Sequence, residues 1–222
     1  MDAARFIWLH GFGSGPQSAK AAYVAARLAE RGVALEIPDL NEPSFHGLTL
    51  LRMLGRIDDL ASASTGRLAI IGSSLGGYTA ALYAEQRPER VAALGLLAPA
   101  FDLASRWALK MGEPALRRWR EEGSFAFDHH ALKRKEPLSV AFLEDAARHA
   151  AFPLPRARTL VVQGQRDDTV PPDLARTFAE RMRGAGRELR LVEVDEGHEL
   201  TADLPRLWGE LAAHFAPELE DR

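Results

Sequence analysis

The sequence predicts a single α/β domain in which helices cover a mostly parallel β-sheet. Short β-rich runs alternate with longer runs of helical period, which is the pattern of strands joined by helical crossovers. Most of the predicted strands are too continuously apolar to have a face in water, as a sheet covered on both sides requires. The chain has 222 residues, of which 46% are hydrophobic, and this suits one soluble domain with a sizeable core.

Six segments are predicted to be strands: residues 5–10, 33–38, 67–72, 90–97, 158–164 and 188–194. The predicted helices are residues 18–31, 48–60, 75–87 and 172–183, followed by a last helix in which Leu204, Leu207, Trp208, Leu211 and Phe215 share one face. About 55 residues separate the fourth and fifth strands, which is far beyond an ordinary connection. We therefore predict a helical cap, residues 99–155, inserted into one domain of residues 1–222.

Composition excludes several classes of function. There are 28 Lys and Arg against 31 Asp and Glu, a net charge of −3, so the basic excess of a nucleic-acid or anionic-membrane protein is absent. The chain has no cysteine, which rules out disulfides, thiolate metal sites and a cysteine nucleophile. The apolar runs 6–9 and 91–101 are too short for a signal peptide or a membrane-spanning helix. We expect a cytoplasmic protein that binds neither nucleic acid nor membrane; its oligomeric state is left open.

The most informative motif is Gly72-Ser73-Ser74-Leu75-Gly76, which directly follows a predicted strand and opens a predicted helix. In such a nucleophile elbow the serine sits on a strained turn, and the residues two before and two after it must lack side chains. The free N–H groups of the helix lie beside the hydroxyl and can stabilise a developing negative charge. The alternative is a glycine-rich turn that only caps the helix. The strand and helix on either side favour a nucleophilic Ser74.

A nucleophilic serine needs a base and an acid that orients the base. Asp167 and Asp168 follow the fifth predicted strand, and His198 follows the sixth. Because parallel strands end at one edge of the sheet, both loops are predicted to open beside Ser74. Of the other histidines, His46, His129, His130 and His149 lie in loops or the predicted cap, and His214 lies on the last predicted helix. The pair of His129 and His130 could line a cleft or be solvated, and it lacks the spacing of a metal site.

The segment after the first strand, His10-Gly11-Phe12-Gly13-Ser14-Gly15-Pro16, is a candidate oxyanion loop. Its backbone can direct the N–H of Phe12 towards the same site, with the N–H of Leu75 as the second donor. The glycine spacing does not match a G-x-G-x-x-G loop, and no Walker lysine and hydroxyl pair follows.

Together these motifs resemble the α/β-hydrolase superfamily over nearly the whole chain. The residues from His10 through Ala21 and from Gly72 through Tyr78 are similar to the compact bacterial serine esterases of that superfamily. The resemblance implies a shortened sheet of six parallel strands in the order 2-1-3-4-5-6. It also maps the acid of the family motif G-x-x-D-x-x-V-P onto Asp167, with Asp168 as the fallback. Asp195 and Glu196 are interpreted as loop-capping groups.

The predicted function is therefore a serine hydrolase that cleaves carboxylic esters of small or medium acyl or aryl groups without a cofactor or metal. An acyl thioesterase or acyltransferase would use the same residues, and a binding protein on the same fold is the alternative from another class. Five aromatic residues of the cap either line a substrate pocket or dock the cap on the body: Phe101, Trp107, Trp119, Phe125 and Phe127.

Overall fold

The computed structural model describes residues 3–63 and 65–220 and is built around a six-stranded parallel sheet. The described residues contain eight strands: β1 (Arg5–Leu9), β2 (Leu35–Glu36), β3 (Leu68–Ser73), β4 (Val91–Leu97), β5 (Ser124–His129), β6 (Arg134–Ser139), β7 (Arg158–Gly164) and β8 (Leu189–Val194). Strands β5 and β6 lie outside the six-stranded sheet. The sheet order is β2-β1-β3-β4-β7-β8, and every pairing in it is parallel. Both the six predicted strands and their predicted order are confirmed.

Helices cover both faces of this sheet, as the sequence predicts. They are α1 (Ala19–Ala29), α2 (Leu50–Ser62), α3 (Leu75–Gln86), α4 (Leu103–Glu122), α5 (Ala141–Ala146), α6 (Pro172–Gly184), α7 (Leu204–His214) and α8 (Ala216–Glu220). Side chains alternate across each strand, so Ile7 and Leu9 of β1 enter one core while Phe6 and Trp8 enter the other. Helices α2, α3 and α6 pack in the first core, and α1 and α7 in the second.

The 99–155 insertion contains helices, as predicted, together with an antiparallel hairpin of β5 and β6 that the sequence analysis missed. Helix α4 is kinked at Gly112, where φ is 73° and ψ is 159°, two residues before Pro114. In β5 the aromatic residues Phe125 and Phe127 alternate with polar or small neighbours, which is the period of a half-buried strand. No helix within residues 3–63 and 65–220 is both long and apolar enough to cross a bilayer.

Candidate active site

Ser74 lies on a sharp turn between β3 and α3. Its φ of 53° and ψ of −116° are a conformation that L-residues rarely adopt, so the surrounding structure must hold it. Its N–H donates to the carbonyl of Leu97 at 2.8 Å, and its own carbonyl accepts from Tyr78 and Ala100 at 3.0 Å each. The turn is thus fixed by the neighbouring strand as well as by its own helix.

The two glycines of the motif are required by close approach of backbone. A Cβ at Gly72 would lie 2.5 Å from the carbonyl oxygen of Gly76, and a Cβ at Gly76 would lie 2.7 Å from the carbonyl oxygen of His10. Any side chain at either position would push α3 away from β1 and β3. The requirement predicted from the spacing is confirmed.

The structure brings Ser74, His198 and Asp167 into one chain of hydrogen bonds. His198 Nε2 lies 3.0 Å from Ser74 Oγ, and His198 Nδ1 lies 2.8 Å from Asp167 Oδ2. The imidazole is therefore placed to accept a proton from the hydroxyl on one side while it donates to the carboxylate on the other. The three residues come from loops at the carboxyl ends of β3, β7 and β8.

The carboxylate of Asp167 is buried and accepts four hydrogen bonds. Oδ1 accepts from the N–H groups of Thr169 at 3.0 Å and Val170 at 2.7 Å. Oδ2 accepts from Gln163 Nε2 at 2.9 Å as well as from His198. Burial alone would raise the pKa of Asp167, but the hydrogen bonds from His198, Val170 and Gln163 and the attraction of His198 outweigh it, so its pKa lies below the usual value. Asp167 is thus held as the ionised partner of His198.

The neighbouring acidic residues have other partners. Asp168 is exposed, and its Oδ1 accepts from the hydroxyl of Thr169 at 3.3 Å. Asp195 pairs with Arg166 at 3.1 Å, and Glu196 Oε2 accepts from the N–H of Ala202 at 2.9 Å. None of these contacts involves His198.

The loops that carry Asp167 and His198 pack directly on each other. A Cβ at Gly164 would lie 2.5 Å from the carbonyl oxygen of Gly197, so this position also needs glycine. The N–H of Arg166 donates to the carbonyl of Glu196 at 2.9 Å, and the N–H of Gln165 donates to that of Val194 at 2.8 Å. These contacts fix the acid relative to the histidine.

The predicted oxyanion loop lies against the serine. A Cβ at Gly11 would be 3.3 Å from Ser74 Cβ, so Phe12 follows a residue in close contact with the turn, and Leu75 begins α3 on the other side. The buried His10 fixes this loop: its Nδ1 lies 2.9 Å from the carbonyl of Gly11, and its Nε2 accepts from the N–H of Leu40 at 2.9 Å. Burial lowers the pKa of His10, which keeps the ring neutral and its Nε2 able to accept.

The ring of Phe12 joins the oxyanion loop to the aromatic residues of the insertion. Its centroid lies 4.9 Å from that of Trp107 and 5.6 Å from that of Phe127, both edge to face. Trp107, Phe125 and Phe127 are partly exposed. Trp107 and Phe127 therefore have partly exposed rings beside Phe12 of the oxyanion loop, and Phe125 packs on Phe127 at 5.4 Å.

Two of the five predicted pocket residues have no surface to offer a ligand. Phe101 and Trp119 are fully buried; Phe101 stacks on Phe178 at 4.2 Å, and Trp119 donates to the carbonyl of Leu138 at 2.9 Å. Their contacts belong to packing, which is the docking role that the sequence analysis left open. Hydrophobicity in a sequence does not distinguish a residue inside a core from one at its margin.

The remaining histidines of interest lie elsewhere. His129 is buried, with its ring 4.8 Å from that of Phe45, and its Nδ1 accepts from the N–H of Leu132 at 3.3 Å. His130 is exposed. His214 lies at the end of α7, where burial and the nearby Arg158 lower its pKa to about 4.

Gln163 and Lys20 were not predicted to have a role, and both side chains contact the loops of the site. Gln163 interrupts an otherwise apolar strand one residue before Gly164, and its side chain is fully buried. Lys20 lies on the buried face of α1 with Val24. A polar residue at a core-facing position is the signal that could have found both.

The six-stranded parallel sheet, the turn at Ser74 and the loops after β7 and β8 define the α/β-hydrolase fold, and comparison with solved structures supports this. Alpha/beta hydrolase domain-containing protein 10 from mouse has a TM-score of 0.78 at 18% identity, covering 98% of this chain and 92% of that one. Est1E from Butyrivibrio proteoclasticus has a TM-score of 0.78 at 20% identity, covering 98% and 89%. The monoacylglycerol lipase of Paleococcus ferrophilus has a TM-score of 0.69 at 16% identity, covering 97% and 96%.

Sequence comparison gives a family with no activity in its description. The chain belongs to the uncharacterised protein family UPF0227, whose profile matches residues 5–208. A search of curated proteins found no match.

Proposed function

We propose that this protein is a serine hydrolase that cleaves carboxylic esters of small or medium acyl or aryl groups. The observation that carries the proposal is the distance of 3.0 Å between His198 Nε2 and Ser74 Oγ, with Asp167 bonded to the other ring nitrogen at 2.8 Å. A hydroxyl in this setting becomes a nucleophile at neutral pH because the base removes its proton as it attacks.

In the first step His198 takes the proton of Ser74 while Oγ bonds to the carbonyl carbon of the ester. The negative charge that develops on the carbonyl oxygen is stabilised by the N–H groups of Phe12 and Leu75. When the tetrahedral intermediate collapses, the bond to the leaving alcohol breaks and His198 returns the proton to its oxygen. The product of this step is an acyl-enzyme on Ser74.

In the second step His198 removes a proton from water, and the resulting hydroxide attacks the acyl carbon. The tetrahedral intermediate releases the carboxylic acid, and the proton on His198 returns to Ser74 Oγ. Asp167 stays ionised throughout and holds His198 in the tautomer that the chemistry requires, in keeping with the lowered pKa of its carboxyl group. No step calls for a metal or cofactor.

The aromatic surface beside the serine supports an apolar acyl or aryl group as the part of the substrate that is recognised. The rings of Trp107 and Phe127 pack on Phe12, which directly follows Gly11, the residue in close contact with Ser74. Among similar structures, one is named as a monoacylglycerol lipase, and one Est1E structure contains bound ferulic acid. An apolar or aromatic acyl ester agrees with both names.

The proposal is tested with a fluorophosphonate probe and intact-mass measurement on the wild type, Ser74→Ala and Ser73→Ala. Ser73 is the matched control because it is the adjacent serine of the same motif. We expect one adduct on the wild type and on Ser73→Ala and none on Ser74→Ala. Folded wild type that takes up no probe and hydrolyses no ester would favour the binding-protein alternative.

A panel of p-nitrophenyl esters, matched thioesters and alcohol acceptors then separates the related reactions. Faster turnover of the oxygen esters with water as acceptor supports the ester hydrolase. A consistent preference for thioesters, or transfer to the alcohol, would assign the same residues to a thioesterase or an acyltransferase.

A further inference from the structure

Lys20 is a buried cation on the helix that follows the oxyanion loop. It lies in the first turn of α1, and only 6% of its surface is exposed. An ammonium group is costly to bury unless it is paired and hydrogen-bonded. The contacts of the ammonium group therefore indicate what it does.

The ammonium group contacts the loop that carries His198. Lys20 Nζ donates to the main-chain carbonyl of Glu199, the residue directly after His198. Burial lowers the pKa of Lys20, while the carboxylates of Glu199, Glu196 and Asp167 act in the opposite direction. The acidic groups of the two loops that carry the acid and the base therefore favour the charged form of Lys20.

The backbone of this loop is strained at Leu200, directly after Glu199. Leu200, the next residue, has a φ of 49°, a left-handed conformation that costs a non-glycine residue of order 1–3 kcal/mol. Its side chain is 2% exposed and lies in the core that α1 and α7 share. The segment after His198 is thus anchored twice, by the packing of Leu200 and by the hydrogen bond from Lys20.

We propose that Lys20 is a positioning residue for the reaction: it holds the carbonyl of Glu199 and so keeps the ring of His198 aligned between Ser74 and Asp167. The inference rests on the proposed function for its effect on rate. Lys20 also connects the two halves of the site, because α1 begins where the oxyanion loop ends. Proton transfer depends on the distance between His198 and Ser74, and a misplacement of about 1 Å can cost about 100-fold in rate.

The test compares Lys20→Met, which has neither the charge nor the donor, with Lys20→Arg, which keeps both, and with Lys135→Met as the matched control at an exposed position. For Lys20→Met we expect kcat to fall about 10- to 100-fold while KM changes less than about twofold. Lys20→Arg should recover most of kcat, and Lys135→Met should equal the wild type.

A second readout separates positioning from stability alone. The kcat of each Lys20 variant is compared with its fraction of folded protein by circular dichroism, since a loss of stability alone lowers both together. A kcat within about threefold of the wild type, or losses in both Lys20 variants that match their loss of folded protein by circular dichroism, would overturn the proposal.

The inference can also be tested where no turnover is seen. The Nδ1 proton of His198, bonded to Asp167, is followed by NMR in the wild type and in Lys20→Met, with His198→Ala for assignment. We expect a sharp downfield signal in the wild type that broadens or disappears in Lys20→Met. An unchanged signal contradicts the positioning role, whereas wild type that lacks turnover and probe labelling but shows this loss contradicts only the proposed function.

Discussion

Hydrogen bonds fix the loops that carry Asp167 and His198, whereas the 99–155 insertion meets the oxyanion loop through aromatic rings as well as through the hydrogen bond from Ala131 to Gly13. Asp167 alone accepts four hydrogen bonds of 2.7 to 3.0 Å. Across the insertion, the ring of Phe12 contacts those of Trp107, Phe127 and Phe142 at centroid distances of 4.9 to 5.8 Å. Hydrogen bonds are directional and hold single atoms, while apolar contacts tolerate changes of shape. We therefore expect the proposed reaction to depend mainly on the hydrogen-bonded loops and the choice of substrate mainly on the aromatic contacts.

The largest expected effect lies on the hydrogen-bonded side. Asp167→Asn should lower kcat about 10⁴-fold, because a neutral amide neither holds the required tautomer of His198 nor stabilises its charged form. Steady-state kinetics on a p-nitrophenyl ester measure the loss. Asp168→Asn is the matched control, since that carboxylate is exposed and accepts from the Thr169 hydroxyl rather than from His198. Equal losses in the two variants would contradict the assignment of Asp167.

The second prediction concerns Gly13, where the two regions meet. Its φ is 62°, its carbonyl accepts from the N–H of Ala131 at 3.1 Å, and a Cβ there would lie 2.7 Å from the carbonyl oxygen of Asp128. Gly13→Ala should reduce the free energy of unfolding by about 1–3 kcal/mol, because it adds both backbone strain and a clash with the hairpin.

Urea unfolding checks this value against Gly15→Ala. A Cβ at Gly15 would make an ordinary contact of 3.6 Å with Ala131, so that variant should stay within about 0.5 kcal/mol of the wild type. Two variants of equal stability would mean that the hairpin yields to the added methyl group.

The third prediction is a pH dependence at the oxyanion loop. The pKa of the buried His10 is lowered, so as pH falls below about 6.5 the unfolded chain gains a proton that the folded protein resists. Stability due to His10 is therefore present above that pH and is lost as pH falls towards the folded pKa, at no more than about 1.4 kcal/mol per pH unit.

Urea unfolding between pH 8 and 5 tests this in the wild type and in His10→Gln, whose stability should fall less steeply. His46→Gln, at an exposed position, controls for the loss of an imidazole. If the free energy of unfolding falls equally with pH in the wild type and in His10→Gln, the neutral state of His10 does not contribute to stability.

The contrast between the hydrogen-bonded loops and the insertion also explains which parts of the structure the sequence predicts. Ser74 and His198 were predictable because each follows an apolar strand and parallel strands end at one edge, so the order of elements alone brings them together. The acid was narrowed to two adjacent residues, and the resemblance to a family motif favoured Asp167, which contacts His198. Strand order followed from the same resemblance.

The insertion was less predictable because its contacts are not set by a periodic sheet. Strand β6 contains Lys135, Glu136 and Pro137, which give no strand signal, and the hairpin exists because β5 presents Phe125 and Phe127 to the α4 side chains. Gln163 could not be assigned for a related reason: its role depends on a hydrogen bond of 2.9 Å to Asp167. Spacing along the chain does not encode such a contact.

The smallest expected effect lies on the aromatic side and tests the separation directly. Trp107→Leu keeps an apolar side chain but removes ring surface that meets Phe12 and Phe127. If this surface holds the acyl or aryl group, kcat/KM for octanoyl and naphthyl esters should fall about tenfold, the equivalent of losing contact with one or two methylenes. The acetate ester, whose acyl group has a single methyl to contact the rings, should change less than about twofold. Trp208→Leu, at a partly buried tryptophan in the other core, controls for loss of an indole. Equal losses on acetate and octanoate would mean that the insertion acts on the Ser74 turn itself, through Phe12 of the oxyanion loop. The reaction and the choice of substrate would then depend on the same contacts.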